Sequence, residues 1–156
     1  MNNMTFEKMG GMVGESLGTS SWQTVTQEAV NEFANCTGDR QWIHIDVERA
    51  KNESPFGGPV AHGYLTLSLL SAMAMEIGVA PKGTAAALNY GLDKVRFLSP
   101  VLVGSKVRLH TKLVGFDRKD NGQYLMKTEN SMEIEGADKP ALLAESLAIL
   151  VPGPDA

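Results

Sequence analysis

The second half of the chain is dominated by apolar residues that alternate with polar ones. Residues 107–113 alternate strictly, and a second alternating run covers residues 124–134. A period of two predicts β-strands that bury one face. Asn121-Gly122 between the two runs is typical of a tight hairpin turn. Residues 141–151 are apolar enough for a central strand, so this half predicts an antiparallel sheet.

A further strand is predicted ahead of these, with an irregularity in it. Leu88, Tyr90 and Leu92 are apolar at alternate positions, but the alternation then shifts to Val95 and Phe97. When the apolar residues move from even to odd positions within one strand, that strand contains one residue more than its partner at that point. We therefore predict a β-bulge within residues 91–93, where it would help the sheet to curve.

One segment is apolar nearly all round. From His62 to Ile77 the chain predicts a helix without a polar face, which must be surrounded by protein. Gly78 is suited to end it. Two shorter helices are predicted upstream, one capped by Thr26 and running through Ala34, the other capped by Asp46.

No repeat or linker divides the chain, so we predict one domain over residues 1–156. Residues 1–20 are rich in Gly and Met and predict a loosely ordered lead-in, followed by a short strand at 22–25. Segregation of strands from helices favours the α+β class. A curved antiparallel sheet wrapped around one long buried central helix satisfies both halves, which is a hot-dog fold.

Composition narrows the classes of function. The 156 residues are 43% hydrophobic and carry a formal net charge of −4, which excludes disorder as the main property and argues against nucleic acid as a partner. A single cysteine excludes a disulfide within the chain. With no signal peptide and no apolar stretch long enough to span a bilayer, we expect a cytoplasmic protein without a membrane partner.

The sharpest candidate for chemistry is the segment TGDRQWIH, which follows the first long helix. Asp39 and His44 lie five positions apart in a loop, where both side chains can face one point. Such a pair can move protons near neutral pH, because histidine titrates there, or hold a water. On spacing alone the alternative stays open that Asp39 caps a turn and His44 is incidental.

A second candidate is AHGY at the start of the apolar helix. The N–H of Gly63 lies at a helix N-terminus and could stabilise an oxygen that becomes negative in a transition state. The alternatives are that Gly63 only permits close packing and that His62 is a packed structural histidine. The three histidines are spread along the chain without a carboxylate cluster, and no phosphate-binding glycine motif is present, so we expect no metal and no cofactor.

These residues resemble a known family. FANCTGDRQWIHIDVERA, residues 33–50, resembles the hydratase-2 motif of the MaoC-like dehydratases, also called (R)-specific enoyl-CoA hydratases. FGGPVAHGYLTLSLL and LDKVRFLSPVLVGSKV resemble the family's central helix and the strand segment after it. The similarity covers residues 22–151, and its nearest form is the nodulation-protein-N-like subgroup.

The resemblance implies a homodimer with an acyl-CoA thioester site at the subunit interface. Asp39 and His44 match the catalytic pair, which activates one water for addition to trans-2-enoyl-CoA, giving (R)-3-hydroxyacyl-CoA. Gly63 matches the glycine that stabilises the thioester oxygen, and His62 beside it at the helix start is a candidate substrate-binding residue. Ser71 lies near a serine that supports the site in the family.

The chain departs from the family at Gln41-Trp42, where Asn-Pro is usual. Gln41 can hydrogen-bond as Asn does with a longer reach, and Trp42 is bulky enough to reshape the pocket, so both are candidate substrate-binding residues. Three alternatives to hydration are a hot-dog acyl-thioesterase, an acyl-carrier-protein dehydratase and a non-catalytic acyl-CoA-binding protein.

Overall fold

The computed structural model describes residues 4–154 and contains five helices and six strands in that range. In chain order they are α1 (Phe6–Gly10), β1 (Ser16–Thr19), β2 (Gln23–Thr24), α2 (Gln27–Thr37), α3 (Trp42–Ile45), α4 (Val47–Glu53), α5 (Gly63–Ile77), β3 (Thr84–Phe97), β4 (Lys106–Arg118), β5 (Tyr124–Ile134) and β6 (Leu142–Pro152).

The strands form one antiparallel sheet in the order β1-β4-β5-β6-β3, with β2 also paired to β4. The predicted hairpin is confirmed: Gly122, at φ 82°, lies in the turn that joins β4 to β5. The position of β6 between β5 and β3 confirms that it is an interior strand. Strands β4 and β5 follow the alternation in the sequence, because each of them buries one face.

The irregularity predicted in β3 is present. The register against β6 shifts between Asn89 and Gly91 and again between Asp93 and Arg96, on either side of the predicted place. Lys94, inside the second shift, has φ 50°, a conformation that non-glycine residues rarely adopt. The two shifts explain why the apolar parity of β3 changes along one strand.

The main core lies between α5 and the sheet. Leu65, Leu70 and Met73 of α5 are buried with apolar side chains of all the long strands except β3, including Val107, Leu109, Met132 and Leu142. The prediction of a helix surrounded by protein is only half right for the single chain. Tyr64 is 69% exposed and Met75 is 81% exposed, so α5 leaves an apolar face uncovered.

The loosely ordered lead-in predicted for residues 1–20 is wrong over most of its length. Residues 6–10 form α1 and residues 16–19 form β1, while residues 1–3 lie outside the described range. Phe6 and Met9 are buried in a second apolar cluster with Leu113 and Leu150 of the sheet. Long-range packing orders this segment, although its Gly-rich composition favours a loop.

Helix caps place the short helices as predicted, and their ends define the loop that follows α2. Thr26 caps α2 by accepting a hydrogen bond from the N–H of Ala29 at 3.2 Å, and Asp46 caps α4 in the same way through Arg49. Gly38 ends α2 in a left-handed conformation, at φ 82°. Within residues 4–154, no helix is both long and apolar enough to cross a bilayer.

Candidate active site

The loop after α2 presents Asp39 to solvent. Its carboxylate oxygen Oδ1 accepts a hydrogen bond from the N–H of Gln41 at 3.4 Å, and its own N–H donates to Thr37 Oγ1 at 3.3 Å. The chain then turns into α3, a single helical turn that carries His44 inward, where it is 7% exposed. One carboxylate at the surface and one imidazole beneath it thus come from adjacent short elements.

The ring of His44 is held in one orientation and one tautomer. Its Nδ1 donates to the carbonyl oxygen of Val60 at 2.6 Å. Because a carbonyl oxygen can only accept, Nδ1 carries the hydrogen, and the neutral ring keeps a lone pair on Nε2. The side chain of Gln27 also donates to the main-chain oxygen of His44 at 2.7 Å. His44 is therefore fixed with a free basic nitrogen.

His62 joins this pair from the residue before α5. Its Nε2 donates to the main-chain oxygen of Asp39 at 2.9 Å. Its ring stacks on that of His44 with centroids 3.8 Å apart, and the ring of Phe33 lies 4.9 Å away. His62 is 2% exposed. The residue before α5 is thereby tied to the Asp39 loop and to α3.

Asp39, His44 and His62 each place one carboxylate or ring-nitrogen atom within 4.8 Å of the others. Hydrogen bonds to water are about 2.8 Å long, so one water can bridge two acceptors at this separation. The spread of the histidines along the sequence, which argued against a metal site, is not kept in the fold. The set is compact enough for a small ion, although each imidazole already uses one nitrogen on a backbone carbonyl.

The surroundings favour the neutral form of His44. Burial lowers its pKa from the ordinary value, and the neighbouring His62 acts in the same direction. The backbone of Val60 and the charge of Asp39 oppose this without reversing it. A histidine that is neutral at physiological pH and has a free Nε2 is suited to act as a general base.

Gly63 opens α5 directly after His62, and the first N–H groups of a helix have no partner inside it. A Cβ added at Gly63 would lie 3.1–3.3 Å from ring carbons of Phe97, so the glycine also permits a close approach of that ring. The same residues line a cavity of about 270 Å³ with Phe56, Ala61 and Thr66. Both the packing role and a free helix-start N–H are compatible with this arrangement.

Of the remaining predicted site residues, Gln41 and Trp42 lie beside the pair in the chain, and Ser71 lies farther away. Trp42, in α3, packs beneath the guanidinium of Arg49 at 4.3 Å, and Gln41 is an exposed N-cap residue of α3 whose N–H holds the Asp39 carboxylate. Ser71 is exposed eight residues after Gly63, about 12 Å along the helix axis. It lines a separate groove of about 340 Å³ between α5 and strands β3 and β6.

Sequence reasoning missed the groups that hold the pair in place. His44 is hydrogen-bonded to the carbonyl of Val60 and to the side-chain amide of Gln27, and His62 lies against the ring of Phe33. No local pattern signals these contacts, because each joins residues 16 or more positions apart. A backbone carbonyl in particular carries no trace in the sequence.

An antiparallel sheet packed on one central helix, with a carboxylate and two imidazoles gathered where that helix begins, places the chain among the hot-dog proteins. The family described as MaoC like domain matches residues 8–135. The chain belongs to this MaoC-like dehydratase family, as its motif indicated.

Individual relatives agree with this assignment. The 3-hydroxyacyl-thioester dehydratase Z of Mycobacterium tuberculosis is 47% identical over 146 residues, covering 92% of this chain and 95% of the relative. Nodulation protein N of Rhizobium meliloti is 44% identical over 151 residues, covering 96% and 92%, which supports the predicted subgroup. The X-ray structure of a monoamine oxidase regulatory protein from Archaeoglobus fulgius superposes with a TM-score of 0.80 at 27% identity, covering 99% and 98%.

Proposed function

We propose that the chain is an (R)-specific enoyl-CoA hydratase that adds water to trans-2-enoyl-CoA and gives (R)-3-hydroxyacyl-CoA. The observation that carries the proposal is the pairing of Asp39 with a buried, oriented His44 whose Nε2 is free. Their polar atoms lie close enough to share one water. A water held by two acceptors is oriented and made more nucleophilic.

The protons balance within the pair. Nε2 of His44 takes one proton from the water while the Asp39 carboxylate accepts the water's other hydrogen bond. The oxygen bonds to C3, and the π electrons of the C2–C3 bond move towards the thioester oxygen. One proton then passes from the pair to C2, so Asp39 and His44 end in their starting states. Asp39 also stabilises the imidazolium that forms between the two transfers.

The thioester oxygen gains negative charge during this step. We place it at the N–H of Gly63, because the N-terminus of α5 offers unpaired donors and a partial positive charge. The apolar cavity beside Gly63, lined by Phe56 and Phe97, would receive the neighbouring part of the substrate. His62 and Gly63 are consecutive residues, so the N–H of Gly63 lies next to the residue that contacts both Asp39 and His44.

The relatives' names support the reaction class. Dehydration of a 3-hydroxyacyl thioester, the activity in the name of the mycobacterial relative, is the chemical reverse of the proposed hydration. One site catalyses both directions, because the same transition state is crossed. The direction observed depends on the concentrations of water, enoyl thioester and hydroxyacyl thioester.

Mixing the purified protein with crotonyl-CoA is expected to lower the enoyl-thioester absorbance band to its equilibrium value, with (R)-3-hydroxybutyryl-CoA as the product in chiral analysis. Longer trans-2-enoyl-CoA substrates then rank the acyl chains that the site accepts. Activity is expected to be unchanged in EDTA, since no step of the proposal uses a metal ion. A folded protein that leaves every enoyl-CoA intact would overturn the proposal.

Three further measurements on the same protein separate the alternative functions. Release of free thiol from acyl-CoA identifies a thioesterase, and turnover only on carrier-protein substrates identifies an acyl-carrier-protein dehydratase. Saturable binding of acyl-CoA without turnover identifies a binding protein. Each result differs from enoyl-CoA hydration in a directly measured product.

The chain also exposes an apolar face that a second copy would cover. Strand β3 is an edge of the sheet, and its Leu88, Tyr90 and Leu92 are 54%, 68% and 47% exposed. The exposed Tyr64 and Met75 of α5 extend the same apolar character beside it. A long, apolar, unpaired edge strand favours association, so we infer a homodimer that pairs through β3.

This face reaches the proposed site. Phe97, the last residue of β3, is 47% exposed and lies against Gly63. A dimer formed through β3 and α5 would therefore bring the helix-start donor, and the groove containing Ser71, to the subunit interface. That position is the one the family resemblance implies for the acyl-thioester site.

Sedimentation of the wild-type protein is expected to give about twice the chain mass of 16.8 kDa, and the double variant Leu88→Glu with Leu92→Glu is expected to sediment as a monomer. A two-fold interface repeats each new carboxylate on both copies, so the charges meet like charges. Val13→Lys, which alters an exposed apolar residue before β1 at the other edge, is the matched control and should remain dimeric. A monomeric wild-type protein would contradict the inference.

A further inference from the structure

We propose that His62 is a positioning residue for this reaction, which locks the Asp39 loop onto the start of α5 and braces the ring of His44, without touching substrate. The inference rests on the proposed hydration. It assigns His62 a task different from the substrate contact that the sequence suggested. Three independent contacts of the imidazole carry it.

The first contact fixes the loop. Asp39 itself is exposed, and within residues 4–154 its side chain accepts one long hydrogen bond, at 3.4 Å, from Gln41. The donation from His62 Nε2 to the main-chain oxygen of Asp39, at 2.9 Å, ties this loop to a residue that is itself buried. The hydrogen bond spans 23 positions, so it fixes the carboxylate relative to α5 rather than within its own turn.

The second and third contacts fix the base. The ring of His62 stacks on His44 at 3.8 Å and has Phe33 of α2 at 4.9 Å. His44 is thus held at one ring edge by Val60 and across one ring face by His62. Reacting groups that must meet within about an ångström gain most of their rate from such fixed geometry.

Packing alone does not explain an imidazole here. Nδ1 of His62 is buried and has no hydrogen-bond partner among residues 4–154. An unsatisfied buried polar atom costs free energy that a phenylalanine of similar shape would avoid. The hydrogen bond that Nε2 donates to the main-chain oxygen of Asp39 therefore explains the imidazole. With only 2% of its surface exposed, His62 acts through Asp39 and His44 rather than on the substrate.

Two variants separate the donor from the ring. His62→Phe keeps a stacked ring and removes the donor, whereas His62→Gln keeps an amide N–H that can reach the Asp39 oxygen. We expect His62→Phe to lower kcat by about tenfold to a hundredfold with KM within about threefold, as a misplacement of reacting groups does. We expect His62→Gln to recover most of kcat, and both variants to melt cooperatively near the wild-type temperature.

The pH profile of His62→Gln gives an independent readout. Replacing His62 with a neutral amide removes an imidazole that disfavours protonation of His44, so the pKa of His44 is expected to rise. The acid limb of the rate profile, and the NMR titration of the His44 ring, should both move to higher pH. A residue that only fills space would leave both unchanged.

Several outcomes overturn the inference. His62→Phe with wild-type kcat reduces His62 to packing, and a KM raised more than about tenfold at constant kcat makes it a substrate contact. Equal losses in both variants remove the donor argument. Should the wild-type protein turn over no thioester, the proposed function fails separately, and amide hydrogen exchange in residues 39–41 still decides. Faster exchange in His62→Phe than in His62→Gln supports positioning, whereas equal exchange refutes it.

Discussion

Asp39→Asn is expected to lower kcat for enoyl-CoA hydration by about 10²–10⁴-fold, the range that a positioned acid–base group contributes. The asparagine oxygen can still accept the hydrogen bond from Gln41 that the carboxylate accepts at 3.4 Å, so the loop keeps its shape. What is lost is the negative charge that orients the water and stabilises the protonated imidazole. Initial rates from the enoyl-thioester absorbance, with circular dichroism to verify folding, measure the effect.

The neighbouring aspartate provides a matched control. Asp46 also lies in a short connection, where it caps α4 by accepting from the N–H of Arg49 at 3.1 Å. Asparagine caps helices as well as aspartate does, so Asp46→Asn should leave both stability and turnover unchanged. An Asp39→Asn enzyme with wild-type kcat would remove Asp39 from the mechanism, and the water would then have to be activated by His44 alone.

The fold was predictable where local pattern and long-range packing agree. Alternation located β4 and β5, apolar composition located β6, and the change of parity located the irregularity in β3. The wrong prediction of a loosely ordered lead-in has a physical cause. Residues 6–19 are Gly-rich, and their local sequence favours no particular secondary structure. Their contacts with β4 and with the second apolar cluster order them. Such contacts cannot be read from the segment itself.

The apolar face of α5 is instructive in a different way. The apolar pattern of α5 predicts a helix enclosed by protein, but the single chain leaves Tyr64 and Met75 exposed. In the proposed homodimer, a second copy would supply the part of the enclosure that one copy lacks. The disagreement between pattern and structure therefore locates the surface that a second copy would cover.

For the site, the family resemblance selected Asp39 and His44, which spacing alone left open, and the structure brings them together. It could not select the Val60 carbonyl that sets the tautomer of His44, nor the stacking of His62 on that ring. Any residue type can offer a backbone carbonyl, and ring stacking depends on where α5 starts relative to α3. The residue types suggested the proposed hydration chemistry, whereas the groups that position Asp39 and His44 could be found only in the three-dimensional structure.

His44→Asn is expected to lower kcat by about 10³-fold, within the range for loss of a general base. Asparagine places an amide N–H where Nδ1 now donates to Val60 at 2.6 Å, but it offers no basic nitrogen at the position of Nε2. The double variant with Asp39→Asn should be little worse than either single variant, because the two groups act on one water as a unit. His110→Asn, which alters a histidine paired with Glu133 on the sheet, is the matched control.

The same variant tests the pKa of His44 through stability. Burial lowers that pKa in the folded protein, so the unfolded chain binds the extra proton first as pH falls. The contribution of His44 to stability is therefore complete above its ordinary pKa of about 6.5 and is lost as pH falls through the lowered value. Urea midpoints between pH 7.5 and about 5 should fall less steeply in His44→Asn than in the wild type or in His110→Asn. Equal slopes in all three proteins would mean that His44 is not desolvated, and its role as the neutral base would lose its physical basis.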